Sequence, residues 1–262
     1  MLTWRSLGLL EVTLDGRPAT PTAPKVRQVL ALLLARRNTL VSMPTIVAEL
    51  WDHHPPRSAT ATVQTYVYQL RKFLQSDGET AAGTGPLVTR STGYMLRVAP
   101  GDYDAEEFER LTVQARAALE DGDARTATDR IAAALAGWAG RPFADVTQGP
   151  YLQAYALRLE ELHMHALELR ISAGLGLGLH RELVAELKEL ASTHPLHEWF
   201  QGGLIIALQR CGRRSEALHV YQRLRELLRD ELGLDPSPGL QQIRQHVLTD
   251  RVSAADLSLL PG

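Results

Sequence analysis

The chain has 262 residues, 45% of them hydrophobic, and a net charge of -2, a composition that excludes a disordered protein and suits two domains of ordinary size. Residues 1–97 hold 11 Lys and Arg against 6 Asp and Glu, a net charge of +5, whereas residues 98–262 hold 17 against 24, a net charge of -7. The basic part is therefore the candidate for nucleic-acid binding. The acidic part is expected to bind protein or to pack on itself.

Cysteine usage and hydropathy predict the compartment. The single cysteine, Cys211, excludes an intramolecular disulfide, and its apolar helical surroundings favour a small buried residue. The N-terminal segment lacks the apolar core of a signal peptide, and the longest apolar run, residues 29–35, is far shorter than the roughly 20 residues that span a bilayer. We therefore expect a soluble, cytoplasmic and nucleoid-associated protein with no membrane contact.

The first fifty residues predict a small antiparallel sheet followed by two helices. Residues 7–20 alternate apolar and polar side chains and break at Asp15-Gly16, a favoured pair for a tight hairpin turn. Residues 24–37 repeat apolar side chains at helical spacing. Ser42 is a good N-cap, so a short second helix is expected to begin there.

Residues 58–76 predict one amphipathic helix, which we call the recognition helix. At about 100° per residue its apolar side chains fall in one narrow stripe. These side chains are Val63, Val67, Leu70 and Leu74. The opposite side carries hydroxyls, amides and cations but no carboxylate, as suits a DNA major groove, because an acid would repel phosphate. An ordinary solvated face is the alternative, although such faces usually mix both signs of charge.

A polar, glycine-rich stretch at residues 75–86 is expected to be a loop, and residues 87–98 predict a hairpin of two short strands. The sheet, three helices and terminal hairpin together predict a winged helix-turn-helix, whose third helix enters the major groove while the wing touches the backbone or minor groove. Arg90 and Tyr94 would then contact phosphate from the wing. For Tyr94, core packing beneath the wing is an equal alternative.

Residues 102–250 are almost entirely helical in pattern and predict an all-α domain. Helical periodicity and helix-ending Gly or Pro residues divide the region into paired helices. The spacing suggests tetratricopeptide-like stacking with about 34 residues per unit. The fold class is thus mainly α, with a winged helix-turn-helix domain at residues 1–98, a helical domain at 99–252 and a C-terminal tail at 253–262.

Six motifs follow one another in the first hundred residues: LGLLEV, DGRP, VRQVLALLL, VAELWDHHPP, ATVQTYVYQLRKFL and VTRSTGYML. In this order they resemble the DNA-binding domain of the SARP family of antibiotic-pathway activators, a variant of the response-regulator winged helix. Further motifs include DYDAEEFERL and GRRSEALHVYQRLRELLRDELGLDPSP. These resemble the bacterial transcriptional activator domain of the same family. Larger relatives add an ATPase domain, but no GxxxxGK[ST] motif occurs here, so a short, ATP-independent member is expected.

The resemblance implies a sequence-specific transcriptional activator of an antibiotic or other secondary-metabolite gene cluster, and no enzyme. Members bind promoter direct repeats as tandem copies, so we expect a homodimer on double-stranded DNA. On the helix and the wing, the expected base readers are Thr62, Thr65, Tyr68 and Gln69, and the expected phosphate contacts are Arg71, Lys72, Arg90 and Tyr94. A repressor with the same DNA contacts, or a helical interaction scaffold without DNA binding, is the alternative.

The loop between the second and third helices contains Asp52, His53 and His54. The resemblance places contacts to RNA polymerase, including the sigma factor, in this loop. A plain connecting loop with a rigid exit at Pro55-Pro56 is an equally good interpretation.

The GLGLG run at residues 174–178 superficially resembles a phosphate cradle. It follows a long helix, with no strand before it and no lysine at its end, so phosphate binding is not expected. Within a helix, Gly174 and Gly176 would each cost roughly 1 kcal/mol relative to Ala, so this helix end is expected to fray.

The histidines do not suggest a metal site. His163 and His165 would point about 200° apart on a helix and cannot share a metal there. His194 and His197 lie in a turn and, even with Cys211, lack the ordered ligand spacing of zinc sites. We therefore expect no metal, no cofactor and no catalysis.

Overall fold

A computed structural model of the chain describes residues 1–74 and 85–260, so most of the loop predicted at residues 75–86 lies outside the described residues. The chain forms two compact units. Unit 1 comprises residues 1–111 and 134–163, and unit 2 comprises residues 112–133 and 164–262. The boundary near residue 98 stays a prediction about sequence modules, because the packing follows a different division.

The N-terminal sheet is antiparallel, with the strand order β1-β2-β3. Its strands are β1 Leu2–Arg5, β2 Glu11–Leu14 and β3 Arg17–Pro18. The predicted hairpin turn is confirmed, since Asp15 and Gly16 have φ values of 50° and 77°, as a type I′ turn requires. The sheet also contains β1, which the alternation did not predict. Residues 6–10 are not a strand, because the N–H groups of Ser6 and Leu7 bond to the Asp104 carboxylate instead of a neighbouring strand.

The three predicted helices and the terminal hairpin are confirmed. The helices are α1 Pro24–Ala35, α2 Met43–Trp51 and α3 Ala59–Phe73. A second sheet has the order β4-β6-β5, with β4 Val41–Ser42, β5 Leu87–Arg90 and β6 Gly93–Leu96. The Ser42 side chain accepts the Thr45 N–H at 3.2 Å, as expected of an N-cap. A Cβ at Gly93 would overlap the backbone oxygen of Val41, so a glycine is needed where β6 pairs with β4.

The rest of the chain is almost entirely helical, as predicted. The helices are α4 Asp104–Glu120, α5 Ala124–Ala136, α6 Pro150–Gly176, α7 His180–Thr193, α8 Glu198–Arg210, α9 Arg214–Leu232 and α10 Pro238–Thr249, followed by a 3₁₀-helix at Ala254–Leu259. Within unit 2, α8 packs against α7, α9, α10 and the 3₁₀-helix. Within the described residues, no helix is both long and apolar enough to cross a membrane.

Two departures from the sequence analysis concern glycines and the C-terminus. Helix α6 continues through Gly174, where fraying was expected, and a Cβ there would lie 2.9 Å from Leu183 Cδ1. The glycine thus lets α7 approach closely. The predicted tail at residues 253–262 contains a capped 3₁₀-helix, and Leu257 and Leu260 are buried. A Cβ at Gly239 would overlap the Leu259 backbone oxygen, so this segment depends on a close backbone approach.

Candidate nucleic-acid interface

The recognition helix, α3, separates its apolar and polar faces as predicted. Val63, Val67 and Leu70 are at most 2% exposed and pack into the core of unit 1. On the other side Tyr68 is 58% exposed, and Thr65 is exposed as well. The polar face of this helix is therefore exposed to solvent.

Four side chains predicted to read bases lie on this polar face: Thr62, Thr65, Tyr68 and Gln69, of which Thr62 and Gln69 are half-buried. The two threonine hydroxyls donate to backbone oxygens one turn earlier, Thr62 to Ser58 at 3.0 Å and Thr65 to Ala61 at 3.1 Å. Because the hydroxyl protons are used in these bonds, the two threonine side chains present oxygen lone pairs and methyl groups to the outside. These suit the amino groups of adenine or cytosine and the methyl group of thymine.

A cation is held over an aromatic ring at the outer edge of α3. Lys72 Nζ lies 4.8 Å from the centroid of the Tyr68 ring. A cation–π contact of this kind restricts the ammonium group without neutralising it. The Lys72 ammonium is thus held at an exposed position on the outer edge of α3.

The wing is tied to α3 by a side-chain hydrogen bond. Arg71 donates from Nη2 to the Thr89 hydroxyl on β5. Arg90 follows at the end of β5 and is exposed, as a phosphate contact from the wing requires. Tyr94 instead pairs with Val41 in the sheet and is only 7% exposed, which supports the packing alternative. We therefore leave Tyr94 out of the proposed contact set.

The α2–α3 loop is open to solvent. Its side chains Asp52 and His53 are 65% and 89% exposed, and His54 is exposed too. The backbone turns sharply at Asp52, where φ is 52°, and the Asp52 N–H donates to Ala48. Both interpretations of the loop, as a polymerase contact or a plain connection, are compatible with this exposure.

The charges around α3 favour phosphate. From His53 to Leu74 the chain contains no Asp or Glu. The cations on α3, just before it and on the wing are Arg57, Arg71, Lys72 and Arg90. Cations clustered on and beside an exposed helix face without acids are the electrostatic footprint of a nucleic-acid-binding protein.

A buried carboxylate on α2, not predicted from the sequence, accepts hydrogen bonds from the start of α6. Glu49 on α2 is 2% exposed and accepts the backbone N–H groups of Gly149, Tyr151 and Leu152, at 2.7, 2.9 and 3.2 Å. It thereby caps the start of α6. Burial raises the pKa of the Glu49 carboxyl, and the three N–H bonds act in the opposite direction. The available signal was an acid among the apolar residues of α2, with Gly149-Pro150 marking a helix start a hundred residues away.

Two further polar contacts join the winged helix to later parts of unit 1. The buried Asp104 carboxylate accepts the N–H groups of Ser6 and Leu7 at 2.9 and 3.1 Å, and burial raises its pKa. Arg27 on α1 forms an ion pair with Asp145. The N-terminal segment and α1 are therefore fastened to residues that follow the winged helix in the chain.

The histidines and the glycine-rich run, considered above as metal or phosphate sites, make contacts within the fold. His163 stacks on Trp138 with ring centroids 4.1 Å apart, and His165 Nδ1 lies 3.3 Å from Glu168. GLGLG forms the end of α6, where Leu179 N–H donates to the Gly174 oxygen, and it is not the helix start that an anion site needs. Residues 1–74 and 85–260 contain no group of three or more His, Cys, Asp or Glu residues placed to hold a metal ion.

Two sequence families match the chain. Residues 17–96 match the family described as transcriptional regulatory protein, C terminal, and residues 103–248 match the bacterial transcriptional activator domain. Regulatory protein DnrI of Streptomyces peucetius is 38% identical over 245 residues, which cover 92% of this chain and 90% of DnrI. Regulatory protein AfsR of Streptomyces coelicolor is 39% identical over 96% of this chain, but the match spans 25% of AfsR.

The fold also matches a solved structure. Mycobacterium tuberculosis EmbR, in complex with a low-affinity phosphopeptide, superposes with a TM-score of 0.90 at 30% identity, covering 98% of this chain and 68% of that one. Both sequence modules and the whole fold are thus shared with named regulators. The chain belongs to the SARP family of DNA-binding transcriptional activators.

Proposed function

We propose that the protein binds direct repeats in the promoter of a secondary-metabolite gene cluster as two tandem copies and recruits RNA polymerase. The observation that carries the proposal is the exposed, acid-free face of α3, whose Arg71 bonds to the wing. Thr62, Thr65, Tyr68 and Gln69 would read bases, while Arg71, Lys72 and Arg90 would bind phosphates.

The small number of readers explains why a repeat is needed. A bidentate contact between an amide and adenine gives about 1 to 3 kcal/mol of discrimination, so one helix has only modest specificity. Two copies on adjacent sites gain effective affinity without new base contacts. We therefore expect a steep loss of binding when one half of the repeat is scrambled.

Selection of bound sequences from random duplexes tests this part of the proposal. The selected duplexes should contain a short direct repeat, and their affinity should fall steeply with salt, by roughly one log unit of slope per neutralised phosphate. Selection of no sequence, with salt-independent binding, would instead favour a helical interaction scaffold.

Gln69→Ala tests base reading on α3. It should flatten base preference at one position in each half of the repeat and leave nonspecific affinity unchanged, because the amide is expected to contact a base edge. Gln222→Ala, an exposed glutamine on α9, is the matched control. An unchanged preference profile would remove Gln69 from the reading face.

Arg90→Ala tests the wing. It should weaken binding to all sequences alike and reduce the salt slope by about one, because it removes a single phosphate contact. Arg181→Ala, an exposed arginine on α7, serves as the control. An effect confined to one base position would contradict the phosphate role.

The sign of regulation is tested by transcription in vitro from a promoter that carries the selected repeat. We expect more transcript with the parent chain, and less stimulation at unchanged DNA affinity when Asp52, His53 and His54 are replaced by alanine. Less transcript with the parent chain would identify a repressor with the same DNA contacts. Unaltered stimulation by the triple variant would leave the loop as a plain connection.

A further inference from the structure

A groove runs along unit 2 between α7 and α9. Helix α8 packs against both and forms the floor. The volume of the groove is about 830 Å³, within the range of ligand-binding sites. Its lining on α9 extends from Ser215 to Asp230, which is about 22 Å at 1.5 Å per residue. An extended peptide of about six or seven residues has this length.

The inside of the groove offers apolar contacts, one fixed amide and the side chains of His219 and Arg223. Val220 and Leu227 lie two turns apart on α9 and are half-buried, and Pro195 lies opposite them at the end of α7. The Gln201 amide nitrogen donates to the backbone oxygens of Ala191 and Pro195, at 3.0 and 3.1 Å. These bonds hold the amide rigidly at the floor, so a ligand meets a preorganised surface.

The two ends of the groove differ in charge. At one end Lys188 on α7 lies 3.5 Å from Glu216 on α9, and Glu216 also accepts from Arg213 at 2.7 Å, so the carboxylate is neutralised. At the other end Glu226 and Asp230 are four residues apart on the groove-lining face of α9. Neither forms an ion pair with another described residue. Arg223 lines the groove one turn before Glu226, so two carboxylates face one cation here and this end of the groove is acidic.

We propose that the groove binds an extended peptide segment of a partner protein that has apolar side chains and a Lys or Arg at one end. The apolar side chains would contact Val220, Leu227 and Pro195. The basic residue would lie between Glu226 and Asp230, which sets the direction of the peptide. This site belongs to unit 2 and uses none of the residues assigned to DNA.

Selection from a phage-displayed library of random 12-residue peptides on the full chain tests the proposal. The blocking variant is Ser192→Trp, because Ser192 is an exposed residue that lines the groove, and an indole there fills it without removing a core side chain. Thr193→Trp is the matched control, since Thr193 is exposed and next in sequence but does not line the groove. Enriched peptides should combine apolar residues with Lys or Arg. By fluorescence anisotropy, Ser192→Trp should weaken their binding at least tenfold and Thr193→Trp less than twofold.

The acidic end is tested with the same peptides. The double variant E226K/D230K should weaken binding at least tenfold, whereas E231K, an exposed site on the same helix outside the groove, should change it less than twofold. These changes lie at exposed positions, so the charge variants still test the proposal if Ser192→Trp does not fold. Enrichment of no peptide, of acidic peptides, or of peptides insensitive to both groove variants would overturn the proposal.

Discussion

Glu49 in unit 1 and Glu168 in unit 2 are both buried carboxylates, with 2% and 9% of their residue surface exposed. Glu49 accepts three backbone N–H groups at the start of α6. Glu168 lies between two imidazoles, with His165 Nδ1 at 3.3 Å and His197 Nε2 at 3.8 Å. Burial raises the pKa of both, but for Glu168 it is the sole cause and raises the pKa to about 7.

This difference shows how each unit uses a buried acid. In unit 1 the carboxylate supplies acceptors for the free N–H groups of a helix N-terminus, so charge-assisted hydrogen bonds and the helix dipole offset part of its desolvation. In unit 2 the helices are held by apolar packing around α8, and the ionised carboxylate is a net cost. Removing each acid should therefore have opposite effects on stability.

The largest effect is expected for Glu49→Ala. Three backbone N–H groups lose their acceptor, and an unsatisfied buried donor costs about 1 to 3 kcal/mol, so the free energy of unfolding should fall by about 4 kcal/mol. Denaturant unfolding measures the loss, and hydrogen exchange at Gly149, Tyr151 and Leu152 should accelerate. Glu161→Ala, at an exposed site on α6, is the control. Unchanged exchange at those three amides would contradict the capping role.

Gly239→Ala should have the next largest effect and tests apolar packing in unit 2. The added Cβ would overlap the Leu259 backbone oxygen, and overpacking of this kind costs up to about 3 kcal/mol. Gly176→Ala is the matched control, because its Cβ would meet Ala124 at an ordinary 3.8 Å, and the helix should gain up to about 1 kcal/mol. Equal unfolding midpoints for the two variants would show that the C-terminal segment does not depend on this approach.

The effect of Glu168→Gln should depend on pH in size but not in sign. A pKa raised from 4.5 to about 7 means that the folded chain holds the proton more tightly than the unfolded chain. The resulting stabilisation is full below pH 4.5 and is lost as the pH rises to about 7. The variant should match the parent below about pH 4 and exceed its stability by about 3 kcal/mol at pH 8. Glu189→Gln, exposed on α7, is the control, and parallel pH curves for parent and E168Q would refute the shift.

Local sequence patterns were sufficient to predict the helices and the separation of apolar and polar faces on α3. The stripe of Val63, Val67 and Leu70 follows from helical periodicity alone, and the Ser42 cap follows from residue type. Tyr94 was left between two roles, because the face of β6 that turns inward depends on its pairing with β4. A strand of two residues, β4 leaves almost no signal in the sequence.

Long-range polar contacts could not be predicted from local sequence patterns. Glu49 and Gly149 are a hundred residues apart, and nothing in either neighbourhood specifies the other. The folded C-terminal segment was likewise interpreted as a tail, because its short 3₁₀-helix has no amphipathic period and its packing depends on glycines in α8 and α10.

The Glu49 contact also limits how such regulators can exchange modules. A chimera that joins the winged helix of one relative to the activator region of another, at the junction near residue 98, would separate Glu49 from the α6 start that it caps. It would also separate Ser6 from Asp104. Successful recombinants should therefore inherit residues 1–111 and 134–163 from the same parent, so the inherited unit is larger than the DNA-binding module itself.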